Sequence, residues 1–261
     1  MKLNSLFNIK GKVIIITGGS GFLGKAYMNF LTGIGAIVIN FDINNKPSVD
    51  ITKEDIVNKE TAKIFNKYKK IDVLINNASL NFHINKTIKI NKQDYFSPIE
   101  NYPVEAFRKG LEVDLVGSFI VSKKVFPYMK KSGKGVIINI SSIYGLIAPD
   151  QKLYKDIKNP FSPEKDVIKP VYYSVCKAGM WGLTTYLASY GAPEIRVNQL
   201  TLGGIHNKES SNFVKCYSKK TMLKRMGCVE DVYGALLFLA TDASSYMTGA
   251  NLVLDGGFSA W

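Results

Sequence analysis

Six short apolar runs punctuate the chain: "KVIIIT" (Lys12–Thr17), "AIVINFD" (Ala36–Asp42), "DVLINNA" (Asp72–Ala78), "GVIINIS" (Gly135–Ser141), "IRVNQL" (Ile195–Leu200) and "NLVLD" (Asn251–Asp255). They are rich in β-branched residues and mostly apolar at consecutive positions, the pattern of strands covered on both faces. Segments with apolar residues at helical spacing lie between them, among them Phe22–Leu31, Val104–Met129 and the stretch starting near Tyr173. Strands alternating with helices predict an α/β fold: a doubly wound parallel sheet of about seven strands with helices on both faces. The 261 residues suffice for a full core and read as one domain, 1–261.

Three stretches break the alternation: Ser79–Pro103, Leu146–Val171 and Gly204–Met226. Each follows a predicted strand and so leaves the carboxyl edge of the sheet, where open α/β folds bind ligands. Loops of this length in a compact domain are expected to carry function.

Charge adds less than its size suggests. There are 34 basic and 21 acidic residues, for a formal net charge of +13, but the only arginines are Arg108, Arg196 and Arg225. Phosphate readers favour the guanidinium fork, and here lysines are scattered along the whole chain. Solvated lysines are the first reading, an acidic small molecule the second, and nucleic acid the least favoured. No apolar run approaches the roughly 20 residues of a membrane span, and Met1–Lys10 lacks the order of a signal peptide. The three cysteines, Cys176, Cys216 and Cys228, have no metal-ligand spacing. A cytoplasmic protein without metal or membrane partner is expected.

The first two runs carry a binding signal. "TGGSGFLG" (Thr17–Gly24) places Gly19, Gly21 and Gly24 as G-x-G-x-x-G between strand and helix. Such glycines let backbone approach a pyrophosphate at a helix N-terminus. Asp42 ends the second strand, where a carboxylate accepts from ribose hydroxyls and repels a 2′-phosphate. NAD is therefore expected over NADP, with the nearby Lys46 as the feature favouring NADP.

In "PVYYSVCKAG" (Pro170–Gly179), Tyr173 and Lys177 are four apart and share a helix face, whereas Tyr172 points elsewhere. An ammonium beside a phenol favours the phenolate, which suits Tyr173 to move a proton. The bland alternative is an ordinary amphipathic helix.

Taken in order, "TGGSGFLG", "NNAS" (Asn76–Ser79), "ISSIYG" (Ile140–Gly145), Tyr173 with Lys177, "VNQLTLGGI" (Val197–Ile205) and "LVLDGGF" (Leu252–Phe258) resemble the single-domain short-chain dehydrogenase/reductase family over nearly the whole chain. The resemblance implies a Rossmann-type fold and hydride transfer between a carbinol carbon and a nicotinamide. It implies Ser142 as holder of the substrate oxygen, Tyr173 as acid/base, and Lys177 as the residue that assists Tyr173 and binds the nicotinamide ribose. Asp114, in "EVDLVGSF", stands where the family usually has an asparagine supporting a proton-relay water; its carboxylate is free to pair with Lys177 instead. The implied cofactor contacts are Gly18, Gly19, Gly21, Phe22, Leu23 and Gly24 at the turn, Asp42, Asp50 and Ile51 at the adenosine end, Asn77 and Ala78 beneath, and Gly203 and Ile205 beside the nicotinamide, with Tyr173 and Lys177. Leu202 replaces a usual proline, from which a looser loop is expected.

The narrower resemblance, in "SSIYGLIAPDQKLY", the segment from Gly203 to Gly227 and "DGGFSAW", is to the branch associated with flagellin-glycan and other bacterial surface-sugar modification. It implies a nucleotide-activated sugar or sugar acid as substrate. Gln151, Tyr154 and His206 are the expected substrate contacts; His83 and Cys176 read as loop and packing residues. The second and third long loops are expected to form a lid, with Lys208, Lys215, Lys219 and Lys220 facing the substrate's anionic part. A homotetramer, or a dimer, is expected from the family. The alternatives are an NADPH-dependent 3-oxoacyl carrier-protein reductase and a cofactor-binding subunit or sensor without turnover.

Overall fold

A computed structural model describes residues 3–80, 92–155 and 157–261. The described strands are, in chain order, β1 (Val13–Thr17), β2 (Ile37–Phe41), β3 (Val73–Asn76), β4 (Gly135–Ser142), β5 (Lys158–Asn159), β6 (Ser162–Asp166), β7 (Ile195–Leu202) and β8 (Asn251–Leu254). The helices are α1 (Leu3–Leu6), α2 (Phe22–Gly33), α3 (Glu54–Tyr68), α4 (Val104–Leu111), α5 (Gly117–Lys131), α6 (Val171–Gly191), α7 (Ser211–Lys220) and α8 (Val229–Ala240). Strands β2-β1-β3-β4-β7-β8 form one parallel sheet in that order, and β5 and β6 form a separate antiparallel hairpin.

The main sheet thus has six strands among the described residues, where about seven were expected. After β2 the chain folds back, with the Val49 N–H donating to the Asp42 carbonyl at 3.0 Å.

The consecutive apolar positions are explained by two covered faces. In β1, Val13 and Ile15 pack with Val57 and Ile64 of α3 and Val121 and Val125 of α5. Ile14 and Ile16, between them, pack with Tyr27 and Leu31 of α2 and Val232, Leu236 and Leu239 of α8. All four β1 residues are fully buried, each worth about 1.5–3 kcal/mol over an exposed side chain.

Strand β1 lies between β2 and β3, so successive connections leave it in opposite directions. That reversal opens a crevice at the carboxyl ends of the strands. The expected helix Val104–Met129 is interrupted above this crevice. Between α4 and α5, Glu112–Val116 form a π-turn in which the Gly117 N–H bonds to the Glu112 carbonyl, five residues back. Asp114 sits in this turn, fully buried. Such turns cluster at functional sites because they re-aim a side chain without ending the helix.

All three stretches read as irregular contain structure, Ser79–Pro103 as short 3-10 turns at Lys92–Phe96 and Ile99–Asn101. Leu146–Val171 carries the β5–β6 hairpin, and Gly204–Met226 carries α7. Ser210 caps α7 by accepting from the Phe213 N–H at 3.3 Å, and Phe213 and Tyr217, one turn apart, are its buried face. Leu202 extends β7 in register with Leu254, and Gly203 donates to the Leu254 carbonyl at 2.9 Å. The looser loop expected there is instead tied to the sheet.

Candidate active site

The glycine turn has no slack. Gly18 has a φ of 68°, and a Cβ on it would lie 2.8 Å from the Ala78 Cα. A Cβ on Gly24 would lie 2.2 Å from the Gly18 carbonyl oxygen. Thr17 fixes the neighbouring turn, its hydroxyl accepting from the N–H groups of Asn77 and Ala78 at 3.0 and 2.9 Å. Gly21, at the N-cap of α2, has no side chain to cap the first amides, which leaves them to an anionic ligand.

Asp42, 8% exposed, accepts from Ser20 N–H at 3.0 Å and Asn44 N–H at 2.8 Å, fixing a carboxylate beside the turn. Asn40, which sequence reasoning did not single out, accepts from Gly19 N–H at 2.9 Å and donates to Ser20 Oγ at 3.0 Å. Asp50 is held by Thr52, and Ile51 is buried under α5, where a Cβ on Gly117 would collide with it. This cradle fits a dinucleotide: close backbone approach for the pyrophosphate and an acid for the ribose.

A cavity of about 620 Å³ continues from the turn across the ends of β4 and β7. Leu23, Ser142, Tyr173, Lys177, Gly203 and Ile205 are on its lining, and the wall opposite is formed by Tyr154, the β5–β6 hairpin region, Phe213 and Tyr217.

The two tyrosines separate as the helical spacing predicts. Tyr172 is fully buried, with its hydroxyl 2.6 Å from that of Tyr95 and donating to the Leu80 carbonyl at 3.1 Å. Its ring fills the place of a side chain at Gly110. Burial pushes the Tyr172 phenol well above its usual value, with Tyr95 and Asp114 adding to the effect. Tyr173 instead faces the cavity, with the Lys177 ammonium 5.5 Å from its ring centre. Cys176 is buried beside Tyr172, its thiol pushed up to about 12 by burial, then by Asp114.

Lys177 Nζ lies 3.6 Å from the Asp114 carboxylate and donates to the Ile140 carbonyl at 3.4 Å. Burial works against its charge, but Asp114 and Tyr173 outweigh burial and hold the ammonium above the usual lysine value. Asp114 also accepts from Ser79 Oγ at 2.5 Å and from Leu80 N–H at 2.6 Å. These two donors were not visible in sequence, since only the π-turn brings Asp114 to the end of β3. Beneath lies a buried ladder: Asn76 Nδ2 donates to Ser122 Oγ and Asn139 Oδ1, and Asn139 donates to Thr184. It ties β3 and β4 to α5 and α6. Ser142 accepts from Tyr144 N–H at 3.3 Å, and Gly145 lets this turn press on α6, where a Cβ would lie 2.5 Å from the Lys177 backbone.

The expected substrate contacts divide. Tyr154 lines the cavity and donates to the Tyr144 hydroxyl at 3.0 Å. Gln151 and His206 are exposed and lie off the lining; the Gln151 amide is committed to the Lys169 backbone. Lys208, Lys215, Lys219 and Lys220 are also off the lining, and Lys220 is paired with Asp150 at 2.7 Å, linking the two long segments. His83 lies outside the described residues. Among the described residues no cluster of acids, cysteines or histidines could hold a metal ion, and no helix is long and apolar enough to cross a membrane.

Comparison with known proteins agrees with this geometry. Residues 12–154 match the family described as short chain dehydrogenase, and residues 164–259 that described as Enoyl-(Acyl carrier protein) reductase. Similar relatives include a post-translational flagellin modification protein A of Campylobacter coli, 31% identical over 96% of this chain and 99% of the relative. Another is an NAD-dependent glycerol dehydrogenase of Listeria innocua, 31% identical over 97% of this chain and 96% of the relative. A crystal structure of a short chain dehydrogenase from Leptospira borgpetersenii with bound NAD+ superposes with a TM-score of 0.83, at 33% identity, covering 99% of this chain and 97% of that one.

Proposed function

This chain belongs to the short-chain dehydrogenase family as an NAD(P)-dependent oxidoreductase, and we propose that it uses NAD to interconvert a secondary alcohol and a ketone on a nucleotide-activated sugar or sugar acid of surface-glycan biosynthesis. The observation that carries the reaction is the convergence of Ser142, Tyr173 and Lys177 on one cavity continuous with the glycine turn. A nicotinamide bound there supplies the hydride acceptor or donor.

The chain's own residues do the rest. The Ser142 hydroxyl holds the substrate oxygen, and the phenolic oxygen of Tyr173 takes the proton in oxidation and gives it back in reduction. The Lys177 ammonium, kept charged by Asp114, stands beside the Tyr173 ring and would hold the nicotinamide ribose. Asp114, replacing the amide usual in the family, ties that ammonium to Ser79 and Leu80. The preference for NAD rests on Asp42, a buried carboxylate fixed at the turn, which would repel a 2′-phosphate. The same residue argues against an NADPH-dependent carrier-protein reductase. The relative from Campylobacter coli, a post-translational flagellin modification protein, supports the surface-modification part of this reading.

Homotetramer assembly is part of the proposal, supported by exposed apolar residues on two adjoining helices: Val116 and Phe119 at α5, and Val175, Trp181, Tyr186 and Tyr190 on α6. Light scattering showing a monomer at micromolar concentration would refute it.

The test of the reaction is direct. The purified protein should bind NADH more tightly than NADPH. With NAD and a pool of sugar acids and nucleotide sugars, mass spectrometry should find a product lacking a hydrogen pair. Tighter NADPH binding would reverse the cofactor assignment, and tight NADH binding with no product would favour a non-catalytic role.

A further inference from the structure

The cations lining the cavity are not equivalent. Among the described residues they are Lys158, Lys169 and Lys177. Lys177 has Asp114, and Lys158 pairs with Asp166 at 2.7 Å. Lys169 has no carboxylate partner among the described residues. Its Nζ instead lies 4.2 Å from the ring centre of Tyr173 and 5.8 Å from that of Tyr144. Burial holds this ammonium below the usual lysine value; Tyr173 and Asp114 partly offset that, and Lys177 deepens it. Half-buried on the cavity wall, this charge has no matching anion among the described residues.

The placement is also fixed. The Lys169 N–H donates to Gln151 Oε1 at 2.9 Å, and Gln151 Nε2 donates to the Lys169 carbonyl at 3.4 Å. Pro170 follows at once as the N-cap of α6, the helix that carries Tyr173. The stem of Lys169 therefore starts from a backbone clamped on one side by Gln151 and on the other by the catalytic helix.

Resting on the oxidoreductase reading above, we propose that Lys169 receives a carboxylate of the substrate beside the carbon whose oxygen Tyr173 serves, which makes the substrate a hydroxy acid or its keto counterpart, of the sugar-acid class, rather than a nucleoside-diphosphate sugar. A diphosphate calls for several cations or guanidinium forks. No guanidinium is on offer: Arg108 pairs with Glu105, Arg225 with Asp231, and Arg196 is spent on Ser244 and carbonyls including those of Leu239 and Thr241. Lys220, in the third long segment, is held by Asp150. One unmatched ammonium suits one carboxylate. Glu209, also on the lining, would repel a second negative charge on its side of the cavity. Tyr144, Tyr154 and Phe213 supply flat surfaces for the carbon skeleton.

The experiment is calorimetric titration of the NADH-saturated protein with D-gluconate and D-galactonate against their uncharged counterparts, sorbitol and galactitol. The wild type should bind each acid roughly tenfold or more tightly than its alditol, as expected for one charge-assisted contact. Lys169→Gln should abolish that difference, Lys169→Arg should retain most of it, and Lys215→Ala, an exposed lysine away from the cavity, should leave it unchanged. An acid preference that is absent in the wild type, or that survives Lys169→Gln, overturns the proposal. So does CMP- or UDP-sugar binding that is tighter than acid binding and indifferent to Lys169→Gln. Steady-state turnover of any accepted acid and alcohol separates a second possibility: if Lys169→Gln lowers kcat equally for both with KM unchanged, Lys169 positions Tyr173 and the carboxylate assignment fails. NADH binding by the same samples reports on the parent reading. Its absence sinks that reading, whereas retained NADH binding without the acid preference sinks only the role of Lys169.

Discussion

The two sides of the cavity are built on different principles. The floor, formed by the glycine turn, the ends of β3 and β4 and the Tyr173–Lys177 face of α6, is set by backbone contacts with no room for a methyl group at Gly18, Gly24 or Gly145. The opposite wall, formed by the hairpin segment and α7, is held by side chains: Tyr154 against Phe213, Phe213 against Tyr217, Tyr217 against Phe258, and an exposed Lys220–Asp150 pair. Backbone contacts fail abruptly when altered, whereas side-chain contacts can be exchanged one at a time. Reaction chemistry thus belongs to the part that tolerates little change, and substrate choice to the part that tolerates much.

The sharpest way to test that division is within the floor. Tyr173→Phe should lower turnover by about 10²–10⁴-fold with NADH affinity retained. Tyr172→Phe should leave turnover nearly intact and lower the melting temperature, because the Tyr95 hydroxyl and Leu80 carbonyl lose a buried partner, at about 1–3 kcal/mol. If the two variants exchanged phenotypes, the assignment of faces on α6 would be wrong.

Asp114→Asn should come next, at about 3 kcal/mol, since it strips the charge partner from a buried ammonium. Lys177 is raised above its unfolded value, so its stabilising contribution is full below about pH 10.4 and is lost as pH rises through the higher folded value. Removing the Asp114 charge leaves burial dominant and lowers the Lys177 value. The alkaline limb of the pH–turnover profile should then move to lower pH; an unmoved limb would detach Asp114 from the reaction.

Gly24→Ala should weaken NADH binding by about 2 kcal/mol, since its methyl meets the Gly18 carbonyl in the backbone. A fluorescence titration that found normal affinity would show that the turn can relax. Asp42→Asn should cut the NADH-over-NADPH preference by roughly tenfold, the scale of a charge-assisted bond. Lys220→Ala, in the wall, should be smallest: under about 1 kcal/mol by thermal melts, because the pair is exposed.

The floor was legible in sequence for the same reason that it is unforgiving. A glycine that must admit backbone, or a tyrosine and lysine one turn apart, is a local constraint written in consecutive residues. The wall is not local. The lysines at 208, 215, 219 and 220 looked like a cationic lid by composition, yet none lines the cavity, and Lys169, one residue before a proline, had no sequence signal. Gln151 was expected to touch substrate, but reaches the Lys169 backbone across a hairpin that periodicity did not reveal. Asn40 and Ser79 reach the site through β2 and the π-turn, contacts between segments far apart in the chain.

The π-turn at Glu112–Val116 also sets a reading frame for the helix that contains it. One residue more than an ordinary turn rotates everything downstream by about 100° relative to an uninterrupted helix. Asp114 reaches Lys177 from inside this turn, while Phe119, just beyond it, faces outward and Val121 and Val125 face the sheet. Deleting a single residue here would mend the hydrogen-bond ladder and still be ruinous, because no rotation returns both halves to their surfaces. Gaining or losing one residue at this position is therefore far more costly than in a surface loop.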